Sequence, residues 1–463
     1  MHKIVEKWGG NVDKVCGKKS EKLGSGNLYL QILKIALPAI LSMLVVSFYS
    51  ICDTYFLGRL GILSCGGVCY PAVAAIQGVA MTFAFGSANN ISRAIGASDI
   101  ESAKEYFFSG FASSVLCGVL IGGLVGIFSP AIVAVCGGGS EASDISGYLA
   151  VQGFSFVIFA VYFYFSAVLR SAGRAGVVFF ASVVGLACNF GLNYISVEFL
   201  DFGVSGVAFA TCFSQVLAGA ILFFAVLKSE IASFDFLYFS FSAVFRIATL
   251  GGSSFFRQLM GGLSALALNF VCVKIGGELL AGATVASRVS VLLFSVALGL
   301  GQGMQPVMAY YFGGGNKEKA RSAFVFTAIC GAILGIVIGG VQCAFAVEIA
   351  SLIGGENAGA VAVAVKIIRV SAFSVAFSFV LVIINMAFQA VGKKFINILL
   401  SVLRQGVIFI PAIFLLGNLF GENGVVISHA VSDILACAVA IFLASIKLFK
   451  WSIIKKNKTG ELS

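Results

Sequence analysis

The chain has 463 residues, of which 59% are apolar and only 11% are charged, and its mean hydropathy is +1.04. Soluble domains contain about 25% charged residues, so this composition excludes a soluble enzyme, a disordered chain and a secreted disulfide scaffold. A membrane-spanning helix uses about 20 mostly apolar residues, and about twelve such helices account for the apolar content. The 55 glycines favour helices packed through small residues over a transmembrane barrel.

Apolar runs between polar breaks predict twelve membrane-spanning helices. The first six lie near residues 30–55, 66–91, 106–128, 146–168, 176–197 and 204–226. The second six lie near residues 246–273, 281–306, 322–345, 366–390, 396–418 and 424–448. Between them, the connection 227–245 sets aromatic residues among polar ones, so we expect an interfacial helix there. A long loop is the alternative.

Basic residues are concentrated in alternate connections. These connections contain Arg93, Lys104, Arg170, Arg174, Lys228, Arg246, Lys317, Lys319, Arg321, Lys393 and Lys394. The only basic residues in the opposite connections are Arg59 and Lys274. Because Lys and Arg gather on the cytosolic side of short loops, we expect both termini to be cytosolic, with tails at 1–27 and 449–463. The net charge of +10 then orients the protein in a bilayer, and we expect no nucleic-acid partner.

The two halves of the chain repeat one pattern. Gly86 to Gly96 and Gly303 to Gly313 are both ten residues apart, and the halves correspond at an offset of 217. Each half contains an even number of predicted helices, so the repeat is parallel, with its axis along the membrane normal. A substrate cleft between the halves, near the midplane, follows from this arrangement.

The sequence therefore predicts an all-α polytopic membrane protein with twelve transmembrane helices in two pseudo-symmetric six-helix bundles. The N-lobe covers residues 28–226 and the C-lobe covers residues 246–448, and a cytosolic linker at 227–245 joins them. The scattered cysteines show no metal-ligand spacing, so we read them as packing residues.

Few carboxylates lie inside the predicted helices. A charge at the membrane centre costs about 2.5–3.5 kcal/mol on insertion scales, so each one needs a reason. Asp53 lies near the end of the first helix and Asp433 lies inside the twelfth. The repeat partner of Asp53 is the neutral Asn269, so we expect a coupling ion to bind in the N-lobe. Arg257, in the seventh helix, either pairs with Asp433, faces a watery cleft or snorkels toward the cytosol.

Several segments, in this order, resemble one transporter family. They are PAILSMLVVSFYSICDTYFLGRLG (38–61), NNISRAIGASDIESAK (89–104), LRSAGR (169–174), NFGLN (189–193) and QPVMAYYFGGGNKEKAR (305–321). They resemble the bacterial multidrug and toxic compound extrusion (MATE) transporters, and FQAVGK (388–393) with Arg257 and Gln258 resembles the Gram-positive branch. The resemblance implies a two-lobed antiporter that exports organic, often cationic, amphipathic compounds under a proton or sodium gradient.

The resemblance also implies a cation-coupling site in the N-lobe. Asp53 matches the acid of the first helix, Asn189 matches an asparagine of the fifth, and Thr211 is the corresponding hydroxyl of the sixth. Asn193 stands where the family often has a second aspartate, and positions four apart share a helix face. A lone carboxylate favours H⁺ as the coupling ion, although the oxygens of these residues leave a weak Na⁺ site open. We expect no other metal and no cofactor.

Structural roles remain alternatives for the same residues. Asp53 could anchor the first helix near Arg59, and the two asparagines could simply join helices. Pro38 removes one backbone hydrogen bond from the first helix and is a hinge candidate, with a static kink as the alternative. Seven residues are candidates for lining the substrate cleft. They are Gln77, Met81, Arg257, Asn269, Gln302, Gln305 and Asp433.

We therefore expect a monomeric antiporter of small organic substrates in a bacterial cell membrane, working by alternating access. A flippase of lipid-linked precursors from the same superfamily is the first alternative, and fourteen helices or an arginine-rich cleft would favour it. A membrane enzyme is the second, and the lack of Cys, His and carboxylate clusters in the predicted helices argues against it. A pore is the third, and it would need no coupling carboxylate.

Overall fold

The computed structural model describes residues 26–61, 64–136, 139, 142–200, 202–355 and 357–448. Apart from Gly26 and Asn27, the predicted tails at 1–27 and 449–463 lie outside these residues. The first-half helices are α1 (Leu28–Arg59), α2 (Ser64–Gly96), α3 (Ile100–Ile127), α4 (Ser129–Cys136), α5 (Ala142–Ser171), α6 (Ala175–Glu198) and α7 (Gly203–Val226). The second-half helices are α8 (Phe241–Ile275), α9 (Gly277–Gly313), α10 (Lys317–Ala344), α11 (Ala346–Gly354), α12 (Ala358–Ala372), α13 (Val375–Ala390), α14 (Lys394–Val402), α15 (Phe409–Phe420) and α16 (Glu422–Lys447).

The predicted all-α membrane fold is confirmed. Within the described residues, eleven helical segments are long and apolar enough to cross a membrane, and a twelfth results if α12 and α13 are one span. Those two helices meet at a 57° bend, so the predicted helix 366–390 is broken. The predicted helix 396–418 contains a π-helical segment, Leu403–Ile408, between α14 and α15. The short helices α4 and α11 were not predicted, because each is too short to give an apolar run of its own.

Side-chain caps fix where several helices begin. The Asp99 side chain accepts a hydrogen bond from the Ser102 amide at 3.0 Å, and the Asn316 side chain accepts one from the Lys319 amide at 3.0 Å. Each cap satisfies a backbone donor that lacks an intrahelical partner. Asp99 and Asn316 occupy equivalent positions of the repeat, so both halves begin their third membrane helix in the same way. The bonds from Ser102 also lower the pKa of the Asp99 carboxyl.

Glycines bring the two lobes into backbone contact at one end of the molecule. A Cβ atom on Gly96 would overlap the carbonyl oxygen of Tyr310, and a Cβ atom on Gly313 would overlap the carbonyl oxygen of Arg93. Tyr310 follows Arg93 by the same 217 residues that separate the two glycines. The two contacts are therefore equivalent, and they show the predicted parallel repeat in three dimensions. We call this end of the molecule, where Arg93 and Gly96 meet Tyr310 and Gly313, the basic end.

The same equivalence continues along the helices that join the lobes. The lobes meet mainly where α2 packs on α8 and where α1 packs on α9. Gly251 of α8 lies against the backbone of Thr82 in α2, and Gly299 of α9 lies against the backbone of Ile40 in α1. Farther from the basic end, the Ser47 hydroxyl hydrogen-bonds the Ser295 hydroxyl at 2.5 Å. The backbones approach this closely because Gly251 and Gly299 have no side chain at the contact.

The predicted interfacial helix in the connection 227–245 is wrong. Ahead of α8, which begins at Phe241, the connection contains only a three-residue 3₁₀ turn at Phe236–Tyr238. Phe234 of this connection packs on α3, since its ring lies 5.3 Å from the Phe107 ring, whereas Phe236 and Phe241 are exposed. The Ser109 hydroxyl also accepts a hydrogen bond from the Ser240 amide at 2.9 Å. The alternative of a loop describes this segment correctly.

Alanine at Gly251 tests the backbone contact between the lobes. The new methyl group would meet the Thr82 carbonyl, whereas one on the neighbouring Gly252 has no atom within 4 Å. Alanine favours a helix by about 1 kcal/mol over glycine, and overpacking costs about 1–3 kcal/mol. We expect Gly251→Ala to unfold at a lower temperature than Gly252→Ala in the same detergent. Equal unfolding temperatures for the two variants would contradict this close contact.

Candidate functional site

The four residues proposed for the coupling site meet in the N-lobe. Asp53 lies near the end of α1, Asn189 and Asn193 lie one turn apart on α6, and Thr211 lies on α7. The Asp53 Oδ1 atom accepts hydrogen bonds from Asn193 Nδ2 at 3.0 Å and from Asn189 Nδ2 at 3.2 Å. The Thr211 hydroxyl donates to Asp53 Oδ2 at 2.9 Å. We call these four residues the Asp53 cluster.

Burial sets the electrostatics of this cluster. Both asparagines are 0% exposed and Thr211 is 7% exposed, while Asp53 is half-buried. The cluster residues that bond to Asp53 are all neutral, so its carboxylate is stabilised by donors and not by a cation. Hydrogen bonds to a charged acceptor are about twice as strong as neutral ones. The cluster can therefore hold one negative charge, or take up one proton and become neutral.

The orientation of the amides bears on the choice of ion. Both Nδ2 groups point at the carboxylate, and Asn193 Nδ2 also donates to Asn189 Oδ1 at 3.3 Å. A sodium ion binds oxygen ligands, so it would require these amides to turn. Asn193 Oδ1 has no hydrogen-bond partner among the described residues, and it is the amide oxygen free to become a ligand. In the observed arrangement the amide groups of both asparagines donate to the Asp53 carboxylate.

Arg59 does not take part in this cluster. Its guanidinium pairs with Glu198 at 2.5 Å, and the two side chains are 49% and 30% exposed. Exposed pairs of this kind contribute about 0–1 kcal/mol. Asp53 therefore anchors α1 through α6 and α7, and the suggestion that it does so near Arg59 is not supported by any contact.

The cleft candidates of the repeat-equivalent helices α2 and α9 lie in different environments. Gln302 and Gln305 are buried, at 4% exposed each, and both line a cavity between the lobes. Gln77 is half-buried, and Met81 packs against the N-lobe core. Neither Gln77 nor Met81 lines this cavity. Of these four candidates, only the α9 pair lines this cavity.

This inter-lobe cavity has room for about one water molecule. Arg170 of α5 reaches it, and its Nη1 donates to the Ser166 hydroxyl at 2.7 Å. Its buried Nη2, together with Asn89 Oδ1 and Gln302 Oε1, has no partner among the described residues. A water molecule could accept from the guanidinium and donate to both oxygens, as buried waters commonly do. Such a water would link Asn89 and Arg170 of the N-lobe to Gln302 of the C-lobe.

Asp433 and Arg257 do not pair, so the first of the three alternatives given for Arg257 is wrong. Asp433 Oδ1 accepts a hydrogen bond from Arg404 Nε at 2.6 Å, and Asp433 Oδ2 accepts one from the Ser374 hydroxyl at 3.0 Å. The aspartate is therefore satisfied within the C-lobe. Arg257 instead lines a second cavity, inside the C-lobe. Asn269 lies on an exposed face of α8 and lines neither cavity.

Pro38 lies within α1, which continues from Leu28 to Arg59. Its ring removes one backbone donor, while its own carbonyl accepts a hydrogen bond from the Ser42 hydroxyl at 2.7 Å. The residue sits next to the segment of α1 that packs on α9, since Ile40 lies against Gly299. A change of helix curvature at Pro38 would therefore displace Ile40 at its contact with Gly299 of the other lobe.

Sequence reasoning missed two buried or partly buried polar residues of the C-lobe, Gln389 and Arg404. Gln389 accepts a hydrogen bond from Gln305 Nε2 at 2.7 Å and donates to the Ser253 hydroxyl at 3.3 Å. Arg404 forms the Asp433 ion pair, and no prediction named it. It was detectable by the signal that singled out Arg257, namely a charge within an apolar run. Gln389 carried no comparable signal, because buried amides also occur as ordinary links between membrane helices.

Comparison with known proteins agrees with this architecture. The MatE family model matches residues 38–195 and again residues 254–415. The multidrug export protein MepA of Staphylococcus aureus strain MRSA252 is 27% identical over 439 residues, covering 90% of this chain and 93% of that protein. MepA of Staphylococcus haemolyticus strain JCSC1435 is 24% identical over 432 residues, with the same coverage.

Solved structures agree on the fold. One of them, described as the outward-facing conformation of a multidrug resistance MATE family transporter of the MOP superfamily, is 22% identical. It superimposes with a TM-score of 0.88 over 95% of this chain and 100% of that one. The family model matches more than half of the residues, with one matched segment in each lobe. The chain therefore belongs to the MATE family of transporters.

Proposed function

We propose that this protein is a proton-coupled multidrug antiporter that exports organic, cationic and amphipathic compounds across a bacterial cell membrane. The relatives that match over 90% of the chain are named as multidrug export proteins, which favours drug efflux over the flipping of lipid-linked precursors. The observation that carries the proposal is the Asp53 cluster, in which one carboxylate accepts hydrogen bonds from three neutral side chains.

Protonation of Asp53 changes how the helices of the N-lobe are joined. The ionised carboxylate ties α1 to α6 and α7 through three donors. Hydrogen bonds to a charged group contribute about 1.5–3 kcal/mol each and neutral ones about 0.5–1.5 kcal/mol, so protonation weakens the three bonds by about 3–4.5 kcal/mol in total. Moving an equilibrium from 1:99 to 99:1 requires about 5.5 kcal/mol. A single proton therefore supplies most of the free energy needed to shift the protein between two arrangements.

The shift reaches the other lobe through α1. This helix contacts α9 through Ile40 and Gly299 and through the hydroxyl pair of Ser47 and Ser295. When α1 repacks in the N-lobe, those contacts must change with it. We infer that the lobes then rock between one arrangement closed at the basic end and another that is open there. Proton uptake and drug release are linked because both alter the same equilibrium.

A proton fits the cluster better than a sodium ion does. Asn193 replaces the second acid of the family pattern, so a bound cation would meet one negative charge instead of two. The amide groups of Asn189 and Asn193 point their donors at Asp53, and a sodium shell would first have to turn them. Sodium coupling stays as the weaker alternative, with Asp53, Asn189, Asn193 and Thr211 as the ligands.

The first test of this proposal replaces the carboxylate. In proteoliposomes with an imposed proton gradient, Asp53→Asn should lose driven transport of a cationic dye almost completely, because its side chain takes up no proton. Glu198→Gln is the control, since it removes an exposed carboxylate outside the cluster and should transport at the native rate. An Asp53→Asn variant that is folded and pumps as the native protein does would refute proton coupling at this residue.

A second test restores the missing acid. Asn193→Asp would place two carboxylates within hydrogen-bond distance, because the Asn193 amide lies 3.0 Å from Asp53 Oδ1. Like charges this close need a shared proton or a cation. We expect sodium, relative to potassium, to raise the unfolding temperature of Asn193→Asp, but not that of Asn193→Ala or of the native protein. A sodium effect of equal size in the native protein would instead favour the sodium site.

A further inference from the structure

The inter-lobe cavity lies directly behind the backbone contacts that close the basic end. Ser92, which precedes Arg93, and Pro306, about one helical turn before Tyr310, both line it. The cavity has room for about one water molecule. An ion that crossed the closed basic end between α2 and α9 would therefore pass through this cavity.

Arg170 brings a positive charge to the cavity. Its side chain is 3% exposed, and its Nη1 donates to the neutral Ser166 hydroxyl at 2.7 Å. Its Nη2 has no hydrogen-bond partner among the described residues. Arg170 forms no ion pair within the described part of the chain, and none of the described residues that line the cavity is acidic. Because an arginine side chain stays protonated in proteins, this charge is permanent.

The end of helix α5 stabilises this charge without neutralising it. Arg170 lies in the last turn of α5, which ends at Ser171. The carbonyl end of a helix carries about half a negative elementary charge and attracts cations. A partial charge of this size leaves the guanidinium with a net positive charge. The field of Arg170 therefore reaches the water position in the cavity.

A bound anion does not fit the cavity as the balancing charge. Asn89 Oδ1 and Gln302 Oε1 line the same space, and neither has a hydrogen-bond partner among the described residues. The Asn89 amide cannot turn, because its Nδ2 donates to the Phe85 carbonyl at 2.8 Å. An amide oxygen repels an anion but accepts a hydrogen bond from water. A water molecule satisfies these groups and leaves the charge of Arg170 uncompensated.

The C-lobe shows that packing at this position does not require a charge. Gln389 precedes Gly392 by three residues near the end of α13, as Arg170 precedes Gly173 near the end of α5. The two glycines have φ angles of 79° and 75°, so the turns match. Gln389 is 1% exposed and accepts a hydrogen bond from Gln305. A neutral amide therefore fills the equivalent position, and the charge is particular to the N-lobe.

We propose that Arg170 is an electrostatic barrier that keeps protons and other small cations from crossing the closed basic end. A cation in the cavity would lie beside a fixed charge of the same sign, where about one water molecule gives little screening. Fixed positive charges exclude protons and cations from some membrane pores in the same way. The inference rests on the proposed function in one respect, namely that the lobes close the basic end against a cation gradient.

The test measures proton leak in the absence of a drug. Full-length protein is reconstituted in proteoliposomes that contain the pH-sensitive dye pyranine, the outside is acidified, and potassium with valinomycin holds the membrane potential at zero. Arg170→Gln introduces the residue that the C-lobe uses. We expect protons to enter about ten-fold faster or more through this variant than through the native protein, because the repulsion is lost. A folded Arg170→Gln variant that leaks at the native rate would overturn the proposal.

Matched variants separate the charge from the packing. Arg170→Lys keeps the charge, and Ser166→Ala removes the hydrogen bond while it keeps Arg170, so both should leak at close to the native rate. A leak through Ser166→Ala as fast as that through Arg170→Gln would assign the leak to packing and refute the barrier. Unfolding temperatures establish that each variant is folded. If Arg170→Gln does not fold, the neutral and flexible Arg170→Met takes its place with the same expected leak.

A double variant separates the barrier from proton coupling at Asp53. Asp53→Asn combined with Arg170→Gln should leak as Arg170→Gln does, since the proposed path does not include Asp53. Loss of the leak in the double variant would show that the protons pass through Asp53, and the barrier would be refuted. Dye transport by Asp53→Asn alone tests the proposed function, so the two can fail independently.

The choice of salt tests whether an anion neutralises Arg170. The native protein should leak equally slowly in potassium chloride and in potassium gluconate, because the cavity does not accept an anion. A native leak that rises about ten-fold in chloride, to the rate of Arg170→Gln, would show that chloride balances the charge. That result would overturn the role of Arg170 as an uncompensated barrier.

Discussion

In the proposed mechanism, the chemistry of this transporter depends on one carboxylate that is held by neutral donors in the N-lobe. Asp53 bonds to Asn189, Asn193 and Thr211, which lie on two helices different from its own. Its charge therefore determines how tightly three helices are joined. With no arginine or lysine in the cluster, proton uptake converts a charged, strongly bonded group into a neutral, weakly bonded one.

That local change matters because α1 belongs to two interfaces. At one end of the helix Asp53 faces the N-lobe, and nearer the basic end Ile40 lies against Gly299 of the other lobe. The lobes touch there through backbone atoms, at contacts that the parallel repeat duplicates. Packed interfaces of this kind have a few discrete arrangements and do not deform continuously. A modest change at Asp53 can therefore select between two relative positions of the lobes.

Much of the architecture could be predicted from the sequence, because its signals are strong and repeated. Long apolar runs determine the membrane helices, and the spacing of Gly86, Gly96, Gly303 and Gly313 revealed the repeat before any contact was known. The meeting of Asp53 with Asn189 and Asn193 followed from helical spacing combined with a family resemblance. The partner of Asp433 could not be found in this way, because Arg404 lies on a different helix and only the packing of the helices brings the two side chains together.

The errors have a common physical cause, namely tertiary contacts that override a local pattern. The aromatic residues of the connection 227–245 are typical of an interfacial helix, yet Phe234 packs on Phe107, and ahead of α8 the connection contains only the 3₁₀ turn Phe236–Tyr238. The π-helical segment around Arg404 and the bend before α13 are likewise invisible in an apolar run. Of these irregular elements, the π-helical segment borders the C-lobe cavity through Arg404 and Gln405.

The central claim is that the proton on Asp53 controls the position of the lobes. The most direct measurement is the distance between spin labels at Ser98 and Glu318, exposed positions on opposite lobes at the basic end. The labels would be attached through unnatural amino acids, and electron paramagnetic resonance would be recorded at acidic and alkaline pH. We expect the native distribution to shift with pH, and that of Asp53→Asn to stay at the acidic distribution throughout. A native distribution that ignores pH, or a shift that persists in Asp53→Asn, would contradict the claim.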